Sequence, residues 1–126
     1  MTTYLTGEDA LVLVTDLQVG PIRDLGLLIS TVSRPATSLW GRETYPGLDL
    51  KAAVLLESVV TNHPLVDGNK RLGWLSTVVF YGLNNVIIEA PDNDAYDMVV
   101  GVASGAVGHQ EAANLLARWH LRADSP

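Results

Sequence analysis

The sequence contains no cysteine, which excludes thiol catalysis, disulfide frameworks and zinc sites built from thiolates. Positive charge is also scarce. Eight Lys and Arg residues stand against 14 Asp and Glu residues, so the net charge at pH 7 is −6. Since general nucleic-acid binders carry a basic face, no direct binding to nucleic acid is expected. The lack of cysteine fits a reducing compartment, and we predict a cytoplasmic protein.

Targeting and membrane-spanning segments are not expected either. Residues 1–7 lack the basic region and apolar stretch of a signal peptide. Residues 72–88 carry no charge, but two glycines and two asparagines interrupt them, and a bilayer-spanning helix needs about 20 apolar residues. A buried core helix is predicted there. At 126 residues and 48% hydrophobic content, the sequence predicts one domain over 1–126 that can bury its own core.

The hydrophobic periodicity predicts an all-α fold of about six helices around a central pair. Thr6 is the expected N-cap of the first helix, Pro21 the first residue of the second and Asp49 the N-cap of the third. The third helix is apolar around almost its whole circumference, which predicts a central position. The predicted helices span residues 8–18, 21–32, 49–62, 70–83, 92–107 and 109–121.

Residues 35–48 form the longest predicted irregular segment, with two prolines, two glycines, Trp40 and Tyr45. Long loops in a compact domain are often functional. The alternative is a tethered surface loop whose two aromatic side chains plug the core, and the residues do not decide between them.

The richest chemistry lies in the segment His63-Pro64-Leu65-Val66-Asp67-Gly68-Asn69-Lys70-Arg71, here called the signature segment. It joins the two central helices. A helix start presents unpaired N–H groups and partial positive charge, which suits phosphates. Gly68 lets backbone approach a ligand closely, while Asn69, Lys70 and Arg71 supply donors for phosphate oxygens. Asp67 suits magnesium, and His63 suits a general base.

Each of these residues also has an ordinary structural explanation. His63-Pro64 can be a helix end, Asp67-Gly68-Asn69 is common turn chemistry, and Lys70-Arg71 can be a solvated pair. Cations are unfavourable at a helix start, however, so that last explanation is weak. The joint pattern favours a functional site.

The signature segment resembles that of the Doc branch of the Fic/Doc family, His-x-Phe-x-(Asp/Asn)-(Ala/Gly)-Asn-Lys-Arg, and departs from it only at Leu65. Residues 23–28, 45–46, 49–62 and 73–75 are similar to the family as well. The resemblance implies an all-helical Fic fold and a toxin of a toxin–antitoxin module. It implies transfer of the terminal phosphate of ATP, with Mg²⁺, to a threonine of elongation factor Tu, which arrests translation.

The resemblance also implies the role of each site residue. His63 is the implied general base and Asp67 the implied magnesium ligand, while Gly68, Asn69, Lys70 and Arg71 bind the phosphates. Fic enzymes that transfer AMP usually have glycine where this chain has Lys70, so the lysine favours phosphoryl transfer. AMP transfer to a protein hydroxyl, or a degenerate module that only binds its antitoxin, remain the alternatives.

Two further expectations concern activity and its control. Leucine at position 65 is apolar but smaller than the family aromatic, so we expect reduced activity. The residues four before each of the five glutamates are neither Ser nor Thr, so the family's self-inhibitory motif is absent. The resemblance implies inhibition in trans instead, by an antitoxin segment that folds as a helix into an apolar groove. Residues 35–46 are expected to flank the target-binding cleft.

The remaining candidates favour structural roles. His109 and His120 are predicted to be ordinary surface or helix-end residues, and Trp74 and Trp119 to be core or partner-surface residues. The acidic residues at 92, 94 and 97 predict the first turn of a helix and lack the oxygen density of a calcium loop.

Overall fold

The computed structural model describes residues 1–121 and contains six α-helices in that range. In chain order these are α1 (Gly7–Leu17), α2 (Leu25–Ser33), α3 (Leu48–Asn62), α4 (Asn69–Leu83), α5 (Asp92–Ser104) and α6 (His109–Arg118). A short 3-10 turn (Arg34–Ala36) and a hairpin of β1 (Ser38–Leu39) and β2 (Arg42–Glu43) lie between α2 and α3. The all-α prediction is confirmed, with the hairpin as a small addition.

Helix α3 lies at the centre, as its apolar circumference predicted. It packs against α2, α4, α5 and α6, and nine of its 15 residues are buried. Helix α4 approaches it closely at Gly73, where a Cβ would lie 2.8 Å from Cγ1 of Val60. This glycine therefore sets the spacing of the central pair, whose connection is the signature segment.

Of the predicted starts of the first two helices, the first is confirmed and the second is wrong. Thr6 caps α1, and its capping box with Asp9 has both hydrogen bonds. The second helix does not begin at Pro21. It begins at Leu25, and the Asp24 side chain caps it by accepting a hydrogen bond from the Leu27 N–H. Residues 20–24 instead run extended beside the signature segment. Their backbone N–H and C=O groups form hydrogen bonds with that segment, so they are not available for a helix.

The segment over 35–48 is more regular than predicted. Its hairpin turns at Trp40 and Gly41, whose φ values of 51° and 79° place both in the left-handed region used by tight hairpin turns. Trp40 is 93% exposed, so the alternative in which this aromatic plugs the core does not hold for Trp40. Lys51 of α3, only 1% exposed, fixes the hairpin by donating to the Tyr45 carbonyl and pairing with Glu43 at 3.0 Å.

Hydrogen bonds among the side chains of Asp49, Tyr81 and His120 join the start of α3 to the end of the described chain. Gly47, and not Asp49 as predicted, is the N-cap of α3. Oδ1 of Asp49 instead accepts hydrogen bonds from the Tyr81 hydroxyl (2.6 Å) and from Nε2 of His120 (2.7 Å). Burial, followed by the bond to the Asp49 carboxylate, raises the pKa of the Tyr81 hydroxyl. Thus Asp49 and His120 have structural roles that their positions in the sequence did not reveal.

The last two helices are shorter than predicted. Helix α5 ends at Ser104, because Gly105 adopts a left-handed φ of 84° as its C-cap. Helix α6 ends at Arg118, after which Trp119 and Leu121 form backbone hydrogen bonds with Glu89 and Ile87. None of the helices over 1–121 is long and apolar enough to cross a bilayer.

Candidate active site

All six residues predicted to form the site line one cavity. It has a volume of about 360 Å³ and lies between the end of α3 and the start of α4. Val60, Val66 and Ala103 complete its wall, and the predicted site residues that line it are His63, Asp67, Gly68, Asn69, Lys70 and Arg71. The fold therefore brings together all six residues that were predicted to form the site.

The extended segment 20–24 holds the signature segment in place. The Val66 N–H donates to the Pro21 carbonyl at 2.9 Å, and the Gly20 N–H donates to the Asp67 carbonyl at 3.0 Å. The Arg23 N–H donates to Pro64 at 2.8 Å. These bonds form an antiparallel pairing across residues 20–24 and 64–67, so the loop is a braced structure and its side chains have defined directions.

Asn69 and Leu65 fix the loop from within. The Asn69 amide donates to the Leu65 carbonyl at 2.9 Å, and its oxygen accepts from the Leu65 N–H at 3.0 Å. The Leu65 side chain is 1% exposed and belongs to the core cluster. Leucine at this position thus anchors the loop in the core. The Asn69 side chain is positioned as a brace, and its predicted contact with phosphate stays a prediction.

Gly68 shapes the start of α4. Its φ of 93° is left-handed, and a Cβ at this position would lie 2.5 Å from Cγ1 of Val19. No side chain caps α4. The first turn begins with the bond from the Leu72 N–H to the Gly68 carbonyl, so the N–H groups of residues 69–71 have no partner within the helix. An uncapped, positively polarised helix start therefore faces the cavity.

His63 ends α3 with a left-handed φ of 54°. Its Nδ1 lies 3.0 Å from the Thr61 carbonyl oxygen. Because a carbonyl oxygen only accepts, Nδ1 must carry the proton, and Nε2 of the neutral ring is left as an acceptor. Arg23 donates to the His63 carbonyl at 2.8 Å and to the Asn62 carbonyl at 3.0 Å, which caps the end of α3. These two bonds fix the backbone from which the imidazole projects.

The charged side chains that line the cavity are exposed and can contact a ligand. Within residues 1–121 the side chains of Asp67, Lys70 and Arg71 form no hydrogen bond or ion pair. One free carboxylate stands beside two free cations and the start of α4. The described part of the chain holds no cluster of three or more His, Asp or Glu side chains suited to a metal. A magnesium ion here would use Asp67 together with phosphate oxygens, a common arrangement for this ion.

An apolar groove adjoins the cavity. Its volume is about 440 Å³, and it runs between α4 and α5 past Trp74, Tyr96 and Val99. Lys70 and Arg71 line both the groove and the cavity. Trp74 is half-buried against the core, which agrees with its predicted role in the core or at a partner surface.

Comparison with known proteins identifies the family. The model of the Fic/DOC family matches residues 5–81, which span α1 through most of α4 and include the whole signature segment. The chain belongs to the Fic/DOC family. It is also 44% identical over 92 residues to a curated protein named Toxin Doc from Mycolicibacterium smegmatis, which covers 71% of each chain. The resemblance inferred from the signature segment is therefore confirmed.

Several supporting residues of this Fic/DOC site escaped sequence analysis. Arg23 braces the His63 end of α3, although it lies 40 positions earlier in the chain. Away from the cavity, Glu57 accepts from Arg34 and from His109, each at 3.0 Å, and His109 is the first residue of α6, in agreement with its predicted helix-end position. The only available signal was the similarity of residues 23–28 to the family, which gave Arg23 no role.

Proposed function

We propose that the protein is a toxin of a toxin–antitoxin module that transfers the terminal phosphate of ATP to a threonine hydroxyl of elongation factor Tu. The observation that carries this proposal is one cavity in which Nε2 of His63 is left as an acceptor beside the uncapped start of α4. Family membership and the similarity to a protein named Toxin Doc supply the biological context.

The chemistry requires one proton acceptor and one site for a polyphosphate. The threonine oxygen attacks the terminal phosphorus, the bond from that phosphorus to its bridging oxygen breaks, and ADP leaves. Nε2 of His63 accepts the hydroxyl proton. The backbone N–H groups of residues 69–71 and the side chains of Lys70 and Arg71 hold the phosphate oxygens. Asp67 would hold magnesium, which neutralises phosphate charge when bound.

Lys70 favours phosphoryl transfer over AMP transfer. It lines both the cavity and the apolar groove, so its side chain occupies space that a glycine would leave open. A cation here adds charge to the phosphate subsite and restricts how a nucleotide can lie in it. This supports placing the terminal phosphate, rather than the α-phosphate, beside His63.

The hairpin supports a role in target docking. Trp40 at its turn and the neighbouring Leu39 are both exposed, while Lys51 and Glu43 hold the hairpin against α3. A bulky residue with a left-handed φ is uncommon, and such positions concentrate at functional sites. An exposed aromatic on a fixed support is a suitable contact for a protein partner.

The apolar groove supports inhibition by an antitoxin in trans. A helical antitoxin segment with an apolar face would pack between α4 and α5 against Trp74 and Val99. Because Lys70 and Arg71 border this groove, an occupant with a carboxylate at that end would also mask the phosphate site. The proposed partner therefore blocks the chemistry from an adjoining surface.

Labelled ATP tests the proposal. The protein is incubated with elongation factor Tu and ATP labelled at either the γ or the α phosphate, with His63→Ala as the inactive control. We expect γ label on a threonine of the factor and no label with the variant. Label from the α phosphate would instead establish AMP transfer. A His63→Ala variant as toxic as the parent would show that binding alone explains the toxicity.

A further inference from the structure

Arg23 contacts the C-terminal end of α3 from an extended segment that lies much earlier in the chain. Its Nε donates to the His63 carbonyl at 2.8 Å, and a terminal guanidinium nitrogen donates to the Asn62 carbonyl at 3.0 Å. Its backbone N–H donates to the Pro64 carbonyl at 2.8 Å. This one residue therefore engages the consecutive carbonyl groups of residues 62–64.

The backbone conformation of His63 is one that needs external support. Its φ of 54° and ψ of 61° are left-handed, a region that residues other than glycine adopt infrequently. Pro64 follows, and a proline disfavours the right-handed helical conformation in the residue before it. Without a contact that favours the left-handed conformation, an extended one would therefore compete with it at His63.

The sequence of α3 does not supply that contact. The last turn of the helix contains no basic side chain, and its final carbonyl groups carry partial negative charge. Within residues 1–121, Arg23 is the cation whose side chain bonds these carbonyls. Its planar guanidinium bonds two of them at once, whereas a lysine would offer one compact charge.

The conformation of His63 determines where its ring lies. A change of φ from the left-handed to the extended region rotates the Cα–Cβ bond about the end of α3, and the ring moves with that bond. The contact of 3.0 Å between Nδ1 and the Thr61 carbonyl would then be lost. Since a misplacement of about 1 Å can slow catalysis about 100-fold, such a movement would impair a catalytic base.

We propose that Arg23 is a positioning residue for the base, because its guanidinium keeps His63 in the left-handed conformation that places the imidazole at the cavity. Arg23 does not line the cavity itself, so its effect on the reaction is exerted through His63. This inference rests on the proposed function, since it identifies what supports the group that accepts the proton there.

Removing the guanidinium tests the inference. Arg23→Ala keeps the backbone bond to Pro64, so residues 20–24 should stay paired with the signature segment. In assays with elongation factor Tu and labelled ATP, we expect kcat per folded molecule to fall about 10- to 100-fold. The KM for ATP should stay at the parent value, because Lys70, Arg71 and the start of α4 are unchanged. A parent-like kcat would overturn the inference, and so would a similar rise in the KM for ATP, which reports displacement of the whole loop.

Arg118→Ala is the matched control. Arg118 is also exposed and lies in the last turn of a helix, α6, but its side chain forms no hydrogen bond or ion pair within residues 1–121. This variant should keep the parent values of kcat and of both KM constants. A loss of kcat equal to that of Arg23→Ala would show that the contacts with residues 62 and 63 are irrelevant and would overturn the inference.

Arg23→Lys separates the charge from the shape of the side chain. It retains the positive charge but not the planar fork, so its kcat should lie between those of the parent and Arg23→Ala. Full activity of Arg23→Lys would show that the charge alone suffices and would overturn the positioning role.

The position of the ring proton gives a readout that needs no activity. Nitrogen-15 NMR at about pH 8, above the ordinary pKa of an imidazole, reports which ring nitrogen of His63 carries the proton. In the parent and in Arg118→Ala we expect the proton on Nδ1, since this nitrogen faces the Thr61 carbonyl. In Arg23→Ala a share of the rings should carry it on Nε2. A tautomer identical to that of the parent would overturn the inference.

The two readouts distinguish failure of this inference from failure of the proposed function. If the parent and His63→Ala label elongation factor Tu equally, or if neither labels it, the proposed function is wrong, and the NMR comparison still decides whether Arg23 holds the His63 ring. If only His63→Ala loses the label while Arg23→Ala matches the parent in kcat and tautomer, the proposed function stands and the positioning role of Arg23 is overturned.

Discussion

The two ends of α3 each involve a histidine, and the difference between them shows how an imidazole becomes available for chemistry. At the C-terminal end, His63 lines the cavity and contacts a carbonyl oxygen through Nδ1, which leaves Nε2 of the neutral ring as an acceptor. At the N-terminal end, Nε2 of His120 contacts the Asp49 carboxylate, which also accepts from Tyr81. The two rings therefore differ at Nε2. In His120 a hydrogen bond to a carboxylate occupies this nitrogen, whereas in His63 the bond is made by Nδ1.

The largest expected effect comes from His63→Ala. Loss of a general base typically slows a reaction by about 10²- to 10⁴-fold, so phosphate transfer should fall by this factor. The melting temperature should stay at the parent value, because the His63 side chain is exposed. Steady-state transfer rates and thermal melts measure both quantities. Transfer at the parent rate would remove His63 from the mechanism.

Gly68→Ala should have the next largest effect. The left-handed φ and the 2.5 Å approach to Val19 should together cost about 2–4 kcal/mol of unfolding free energy, and the displaced loop should lose ATP binding. Urea unfolding and nucleotide titration measure these losses.

Gly105→Ala is the matched control for that loss. Gly105 has a φ of 84°, and an added Cβ would meet nothing within 4 Å, so the variant carries the strain without the clash. It should cost about 1 kcal/mol and leave ATP binding intact. Equal losses in both variants would mean that the Val19 contact is irrelevant.

His120→Ala should affect stability but not chemistry. It removes one hydrogen bond to a half-buried carboxylate, which should cost about 1–2 kcal/mol, while the rate of transfer per folded molecule stays constant. Comparing this variant with His63→Ala separates the two ends of α3. A large loss of transfer rate in folded His120→Ala would contradict the claim that His120 has only a structural role.

The smallest effect concerns high pH. Burial raises the pKa of Tyr81 above its usual value near 10, so the folded protein keeps this proton while the unfolded chain releases it. Stability from this group is complete below pH 10 and is lost as the pH rises above it. Tyr81→Phe should flatten the fall in unfolding free energy between pH 9 and about pH 11. An unchanged slope would exclude Tyr81 as its source.

The sequence predicted the elements and the composition of the site well, because both depend on local signals. The apolar circumference of α3 placed it at the centre, the Thr6 N-cap began α1, and the six site residues predicted from the signature segment all line the cavity. These patterns lie within short stretches of chain, where periodicity and turn chemistry suffice.

The errors concern residues whose roles depend on distant partners. Pro21 suits a helix start, but pairing with residue 66 holds it in an extended segment. Asp49 suits an N-cap, but Tyr81 and His120 engage its carboxylate. The sequence left open whether Trp40 plugs the core, and the two-residue turn directs it to solvent. None of these contacts can be found without the tertiary fold.

Lys70 and Arg71 belong to the walls of two neighbouring cavities, and this shared wall has a thermodynamic consequence. A ligand that engages these cations from one side changes the free energy of occupying the other, and linkage makes the change reciprocal. If an antitoxin in the groove weakens nucleotide binding by some factor, nucleotide weakens the antitoxin by the same factor. The energy charge of the cell would then help to set how firmly the toxin is restrained.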